Sequence, residues 1–214
     1  MVYPVDTLVK EIRVALDRNN SSEKLVLSAD MDTLTLDEII RSKVAEAARI
    51  VEADAPFHLL DGGRAFATSI TWDSSEGIGS GYTQLPDDFL RLLCFQMSDW
   101  SRAVFNAITP ADPEYALQSS RIPGIKGTPQ KPVVAIVMRP AGLTLEFYSC
   151  AAGAGVTAMY ARYLPVPTVR DEEIEICEKL KPAVIYRAAY LTALTLGDAE
   201  LSKNMLTASE ALMR

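Results

Sequence analysis

The chemistry that this sequence can offer begins with its one histidine, His58. A serine or cysteine hydrolase needs an imidazole to activate its nucleophile, so His58 with a serine or carboxylate is one candidate catalytic set. His58 stands between Phe57 and Leu59 where a helix is expected to end, and packing or capping there is the favoured explanation for it. The sequence favours a protein that is not an enzyme, with a small hydrolase as the alternative.

Other residues that could bind a cofactor or metal lack the necessary spacing. The run 77–81 is rich in glycine but is neither Gly-x-Gly-x-x-Gly nor a Walker sequence. Asp87–Asp88 and Glu172–Glu173 are adjacent pairs whose side chains point in different directions, and Asp87–Asp88 suits a turn after Pro86. We therefore predict no cofactor and no metal.

Three cysteines, Cys94, Cys150 and Cys177, are far apart and contain no Cys-x-x-Cys pair. Neither a disulfide framework nor a zinc site is indicated. Their apolar neighbours predict buried thiols that act as small hydrophobic side chains.

The composition limits the kinds of partner that this protein is expected to bind. The 214 residues are 49% apolar and 23% charged, which is typical of a soluble globular protein, and the formal charge is −7. Tight binding to phosphate backbones is disfavoured, because it requires clustered Lys and Arg. The acidic run 171–175 predicts a solvated face, with a repulsive wall facing DNA as the alternative. No apolar run approaches the roughly 20 residues of a membrane span, and charges interrupt the N-terminal segment, so we expect neither membrane nor secretory signal.

Two amphipathic helices are predicted near the N-terminus. The first covers 5–18, and the second begins after Thr35, which forms a capping box with Glu38, and ends near Asp54. The segment 24–28 is either a short strand or part of a loop.

A helical hairpin is predicted at the C-terminus. The first helix covers 181–196 and is apolar almost all round, so it should be enclosed by other protein. Gly197 suits the left-handed residue that closes it, and Asp198 suits the N-cap of the second helix, which reaches Leu212.

Glycine, proline and short alternating runs dominate between these helical regions. Expected elements are strands at 66–72, 89–95, 101–105 and 156–163, one or two helical turns at 113–118, and a hairpin of 132–138 with 143–149. The fold class is therefore α+β: a helical bundle with an antiparallel β-rich insertion. The predicted organisation is 1–60, N-terminal helices; 61–167, the insertion; and 168–214, C-terminal helices.

Candidate interface residues come from the insertion and its loops. They are Trp100, Tyr115, Gln118, Lys126 and Tyr160. Aromatic side chains with polar tips suit subunit interfaces, and the loop 110–130 suits a contact surface. A half-buried core position is the alternative for each aromatic residue.

The order of these elements resembles the head–tail connector (adaptor) proteins of tailed bacteriophages. The resemblance lies in Leu-Pro-Asp-Asp-Phe-Leu-Arg-Leu at 85–92, in Tyr115, Gln118 and Ser119 ahead of Lys-Pro-Val-Val at 131–134, and in the final helix that ends in Leu-Gly-Asp-Ala-Glu at 196–200. It covers most of 36–212 and leaves 1–35 unaccounted for.

The resemblance implies a structural virion protein without enzymatic activity. Its copies would form a homo-oligomeric, dodecameric ring at the head–tail junction after assembly in the host cytoplasm. Its partners would be the portal protein, tail or further ring proteins, and genome DNA that passes through the lumen without sequence-specific binding. A tail-completion or tail-hub subunit is the alternative assembly role.

Overall fold

The computed structural model describes residues 1–16, 35–73, 79–120, 122, 124–150 and 155–214. The fold is α+β, with helices at both ends of the chain and antiparallel sheets, as predicted. In chain order the elements are β1 (Val2–Pro4), α1 (Val5–Ala15), α2 (Leu36–Asp54), β2 (Arg64–Ala65), β3 (Thr71–Trp72), β4 (Gly81–Gln84), β5 (Phe89–Met97), α3 (Pro113–Leu117), β6 (Val134–Arg139), β7 (Gly142–Phe147), β8 (Ala158–Pro165), β9 (Val169–Arg170), β10 (Glu173–Glu175), α4 (Lys181–Thr195) and α5 (Ala199–Ala211).

The chain divides into two compact units. Met1–Asp61 and Val166–Arg214 together form the helical unit, and Gly62–Pro165 forms the β unit. The helical unit is therefore built from two distant parts of the sequence, whereas the β unit is one continuous stretch.

Helix α4 lies at the centre of the helical unit and packs against α1, α2 and α5. Its buried residues are mostly small: Ala183, Val184, Ala188, Ala189, Thr192 and Ala193. Small side chains let neighbouring helices approach closely, which explains how one helix can contact three others. Facing α4, α2 buries an apolar stripe that includes Ile40, Val44 and Val51.

The prediction that α4 is enclosed all round is wrong within the single chain. Tyr186, Tyr190 and Leu191 are only partly buried, and Leu194 is 54% exposed. The neighbouring helices cover one side of α4, so its outer face retains apolar side chains at the surface.

The predicted helix ends are confirmed in their atomic detail. Thr35 and Glu38 form the reciprocal capping box at the start of α2. Gly197 adopts φ 80° after α4, and the Asp198 carboxylate accepts a hydrogen bond from Leu201 N–H (3.0 Å) at the start of α5.

Strands β1, β10 and β9 form a three-stranded antiparallel sheet in the helical unit. Asp171 and Glu172, the first two residues of the acidic run, form the turn between β9 and β10. They have φ of 51° and 61°, a conformation that costs non-glycine residues roughly 1–2 kcal/mol each. Contacts from the rest of the unit hold this turn. Glu172 accepts a hydrogen bond from Val5 N–H at its carbonyl (2.9 Å) and one from Arg41 at its carboxylate (2.6 Å).

Two antiparallel sheets make up the β unit, with strand orders β2-β8-β5 and β3-β4-β7-β6. The predicted hairpin is confirmed as β6 and β7, and the predicted strand 156–163 as β8. Alternate residues of β7 face the apolar core, where Leu145 and Phe147 are fully buried. The helical turns at 113–118 are confirmed as α3.

Two strand predictions are wrong over most of their length. Only the ends of 66–72 pair, because the segment leaves β2 in one sheet and enters β3 in the other. In 101–105 only Val104 pairs, with Phe95, since β5 takes β8 as its long partner. The predicted segment 24–28, the end of the first helix at 17–18 and residues 77–78 of the glycine-rich run lie outside the described residues.

A buried carboxylate ties α2 to the C-terminal half of the helical unit. Glu52 is 2% exposed and accepts a hydrogen bond from Cys177 N–H (2.7 Å). Burial raises the pKa of Glu52, and the bond from Cys177 opposes that rise. The bond is favourable, whereas the negative charge is costly at this depth.

We expect Glu52→Gln to increase stability at neutral pH by on the order of 1 kcal/mol, because the amide oxygen keeps the hydrogen bond and carries no charge. A raised carboxyl pKa in the folded state means that wild-type stability falls as pH rises from the unfolded pKa to the folded one. The gain from Glu52→Gln should therefore be larger at about pH 7 than at about pH 4, below the ordinary carboxyl pKa. Urea unfolding followed by helical circular dichroism measures it.

Glu46→Gln is the matched control, since Glu46 is exposed on the same helix. An equal loss of stability in Glu52→Gln at both pH values would show that the buried charge is not costly.

Candidate functional site

Three of the five predicted interface residues, Tyr115, Gln118 and Lys126, belong to α3 and the loop after it. The structure therefore brings them into one segment of the β unit. Tyr115 and Lys126 are partly exposed, whereas Gln118 is only 6% exposed. A buried amide in a surface loop needs hydrogen-bond partners, and these determine the shape of the segment.

Gln118 joins the two ends of the loop. Its Oε1 accepts a hydrogen bond from Gly127 N–H (2.9 Å), and its Nε2 donates to the carbonyl of Glu114 (2.9 Å). Gly127 is itself tightly enclosed, because an added Cβ would lie 2.2 Å from Ser149 Oγ. Gln118 is thus an internal brace of the loop and does not present its side chain to a partner.

The far end of the loop is a tight turn with apolar ends. Ile125 N–H donates to the carbonyl of Ile122 (3.3 Å), and Gly124 adopts φ 87°, which favours glycine. Ile122 is 62% exposed and Ile125 is 42% exposed, and Leu117 at the end of α3 is 47% exposed. We call Leu117, Ile122 and Ile125 the apolar turn.

A buried ionic network holds α3 against the sheet. The Tyr115 hydroxyl donates to one carboxylate oxygen of Glu146 (3.3 Å), and Tyr148 donates to the same oxygen. Arg139 donates to the other oxygen from Nε (2.9 Å) and Nη2 (2.7 Å). The Glu146 side chain is 7% exposed, so its charge is buried but fully paired.

The charge of Glu146 and burial affect the protonation of a neighbouring tyrosine, and a neighbouring ring contacts the paired arginine. Burial and then the Glu146 carboxylate raise the pKa of Tyr148, so this tyrosine remains a neutral donor. The Arg139 guanidinium lies over the ring of Tyr82, 4.0 Å from its centroid. Every charge in this network has a partner, which suits a structural support for α3 better than a reactive centre.

The remaining predicted interface residues, Trp100 and Tyr160, have different surroundings. Trp100 is 4% exposed and packs edge-on against Phe95, with ring centroids 5.7 Å apart. It therefore takes the alternative core role, because its ring lies inside the β unit. Tyr160 on β8 is 54% exposed, as is its neighbour Met159 at 52%, and it stays a candidate for partner contact.

His58 lies in a short 3₁₀ turn after α2 and is exposed to solvent. Its carbonyl accepts a hydrogen bond from Lys179 Nζ (3.0 Å). In the described part of the chain, no hydrogen bond joins its imidazole to a serine, a cysteine or a carboxylate. These surroundings do not support the hydrolase alternative.

Cys150 and Cys177 are buried and Cys94 is half-buried, and all three are free thiols. Burial raises the pKa of Cys150 and of Cys177 to about 12, so neither is a thiolate at neutral pH. The prediction of buried thiols is confirmed for these two.

Within the described ranges, no group of three or more His, Cys, Asp and Glu residues is arranged to hold a metal ion. No helix among the described residues is both long and apolar enough to cross a membrane.

The exposure of Leu117, Ile122 and Ile125 was not predicted from the sequence. Two isoleucines within a Pro/Gly-rich loop could have indicated exposed apolar side chains, because a loop of that composition is expected at the protein surface. The Glu146 network was not predicted, since Arg139 meets Glu146 only through the pairing of β6 with β7, and Tyr115 is 31 residues away from Glu146 in sequence.

We expect Gln118→Ala to open the loop, because Gly127 N–H loses its acceptor and α3 loses its link to the loop. Losing a buried hydrogen bond of this kind costs about 1–3 kcal/mol. Limited trypsin digestion should cut after Lys126 about tenfold faster, since cleavage follows the population of the open loop. Gln130→Ala, at an exposed glutamine of the same region, is the control and should leave the rate unchanged. Equal rates in both variants would refute the bracing role.

No protein-family model and no curated protein sequence matches the chain. No family is therefore shown for it, and no relative's activity bears on these residues. What supports a functional proposal is the geometry above and the residue order that resembles phage connectors.

Proposed function

We propose that the protein is a structural virion protein, a subunit of a head–tail connector ring that joins the portal or capsid to the tail. The observation that carries this proposal is the fold class. A helical bundle interrupted by an antiparallel β-rich unit is what the resemblance implies, and the motifs of the resemblance lie in both parts.

Exposed apolar side chains support an assembly role. The apolar turn lies on a braced loop, and Leu194 lies on the outer face of α4. Exposed apolar groups that are held in a fixed geometry suit binding to another protein, because little conformational entropy is lost on contact. A subunit surrounded by other subunits would cover such groups.

The charge of the chain supports a passive DNA path. With a formal charge of −7, the subunit would attract phosphate weakly, so genome DNA could slide through a ring lumen without sequence-specific binding. The partners in this proposal are other copies in a dodecameric ring, the portal protein, and tail or further ring proteins. The place of action is the head–tail junction of the virion, after assembly in the host cytoplasm, with no cofactor.

Docking onto the portal is the direct test. Purified protein is mixed with portal rings encoded in the same genome and viewed by electron microscopy. We expect an added ring of density coaxial with the portal, because a connector subunit has the portal as its platform for assembly. Portal rings from an unrelated phage are the control. Binding to the tail tube and not to the portal would instead identify a tail-completion or tail-hub subunit, and binding to neither would contradict both assembly roles.

Weak DNA binding is a second expected outcome. Fluorescence anisotropy with duplex DNA at low and at physiological salt should give no salt-sensitive affinity in the micromolar range or tighter, because the chain lacks the net positive charge for phosphate binding. A basic DNA-binding protein is the positive control. Micromolar binding that weakens with salt would contradict a passive path.

A further inference from the structure

Helix α1 begins without a side-chain cap of its own. Its N-cap is Pro4, which forms no side-chain hydrogen bond. The first N–H groups of a helix have no partner within the helix and need an acceptor from elsewhere. Val5 N–H has such an acceptor in the carbonyl of Glu172 (2.9 Å), which lies in the turn between β9 and β10. A turn from the C-terminal part of the chain therefore caps α1.

The turn that supplies this cap has an unfavourable backbone conformation. Asp171 and Glu172 have φ of 51° and 61°, whereas a hairpin turn with two left-handed residues normally contains glycine or asparagine. Strand β9 has only two residues, Val169 and Arg170, and a ladder so short gives the turn little support. Contacts from outside the hairpin must therefore hold the turn in this conformation.

Arg41 on α2 provides such contacts. Its Nη1 donates a hydrogen bond to the Glu172 carboxylate (2.6 Å), and its Nη2 donates to the carboxylate of Asp6 in the first turn of α1. One guanidinium thus joins the turn to the helix that the turn caps.

These ion pairs lie at the surface. The side chain of Arg41 is 37% exposed, that of Asp6 is 66% exposed and that of Glu172 is 77% exposed. Exposed ion pairs are weak, and salt weakens them further. Because the backbone strain of the turn opposes them, the closed turn depends on a small difference between opposing contributions. A small difference of this kind allows an element to change between two conformations.

We propose that Asp6, Arg41 and Glu172 form a latch that holds the β9–β10 turn over the start of α1 and opens when other ions compete for Arg41. We call it the α1 latch. When it opens, the turn leaves the left-handed conformation, and Val5 N–H exchanges the Glu172 carbonyl for water. The junction between α1 and β1, an edge strand of its sheet, is then no longer fixed. The α1 latch lies within the helical unit and does not depend on the connector function.

Amide hydrogen exchange of Val5, followed by nuclear magnetic resonance, measures how often the α1 latch opens. We expect Val5 to exchange several-fold faster in about 1 M sodium chloride than in about 0.05 M, because salt screens exposed ion pairs. Arg41→Gln should exchange several-fold faster than the wild type at low salt and lose most of the salt dependence. Arg49→Gln, at an exposed arginine of the same helix, is the control and should behave as the wild type. The amide of Ile12, a buried residue of α1, should be unaffected in all cases.

A second pair of variants tests the strain in the turn. Asp171→Gly removes the Cβ that disfavours the left-handed conformation and leaves the Glu172 carboxylate in place. Added to Arg41→Gln, it should slow the exchange of Val5 several-fold. Asp171→Ala is the matched control, because it removes the same carboxylate but keeps the Cβ, and it should not slow the exchange. Circular dichroism of each variant checks that it is folded.

Three outcomes would overturn the inference. If Arg41→Gln leaves the exchange of Val5 unchanged, the strand ladder holds the turn without Arg41. If Val5 and Ile12 accelerate equally, Arg41 stabilises the helical unit as a whole and no local latch exists. If Asp171→Gly slows the exchange no more than Asp171→Ala does, strain in the turn does not favour opening.

Discussion

The close packing of one helix against three others is the constraint on which the helical unit depends. Four alanines on the buried face of α4 allow α1, α2 and α5 to approach its backbone. A larger side chain at such a position would push a helix away, and overpacking of this kind typically costs 1–3 kcal/mol. Among the described residues, the same geometry leaves apolar side chains on the outer face of α4 at the surface, with Leu194 54% exposed. The surface that we propose for a partner is thus a direct result of how the core is packed.

In the β unit, hydrogen bonds and paired charges determine the position of α3 and of the loop after it. Glu146 is surrounded by donors from the strands and from α3, so the helix has a fixed position on the sheet. Gln118 then ties the loop to α3, because its side chain bonds both Glu114 and Gly127. Buried polar groups of this kind specify one geometry, because each alternative would leave a donor or acceptor without a partner. The two ends of the segment that carries the exposed isoleucines are therefore joined by one buried side chain.

Local patterns in the sequence were sufficient to predict the helices, their ends and the main hairpin. Thr35, Gly197 and Asp198 act through neighbours within a few residues, so their roles follow from the sequence alone. Pairing between strands was less predictable. The alternation in 66–72 is real, yet the segment passes between two sheets and pairs only at its ends, which no local pattern reveals.

The interface role of the candidate residues stays a prediction, and the structure bears only on their exposure. The loop 110–130 was identified as a surface for contact, and Tyr160 is exposed as an interface residue must be. Trp100 and Gln118 were chosen for their residue types, yet both are buried, because the first completes an aromatic core and the second braces a loop. Burial depends on residues far away in sequence, and composition near a position does not contain that information.

The helical unit is built from two parts of the sequence that lie on either side of the β unit, so these parts are synthesised at different times. Strand β1 pairs with β10, and Glu52 bonds to Cys177, 125 residues later in the chain. The β unit is continuous and is complete on the ribosome before either of those late partners has been made. Until α4 emerges, α1 and α2 can pack against each other but lack the central helix of the unit. These two helices are thus made before the β unit and completed after it, and a holding chaperone could protect their apolar stripes in that interval.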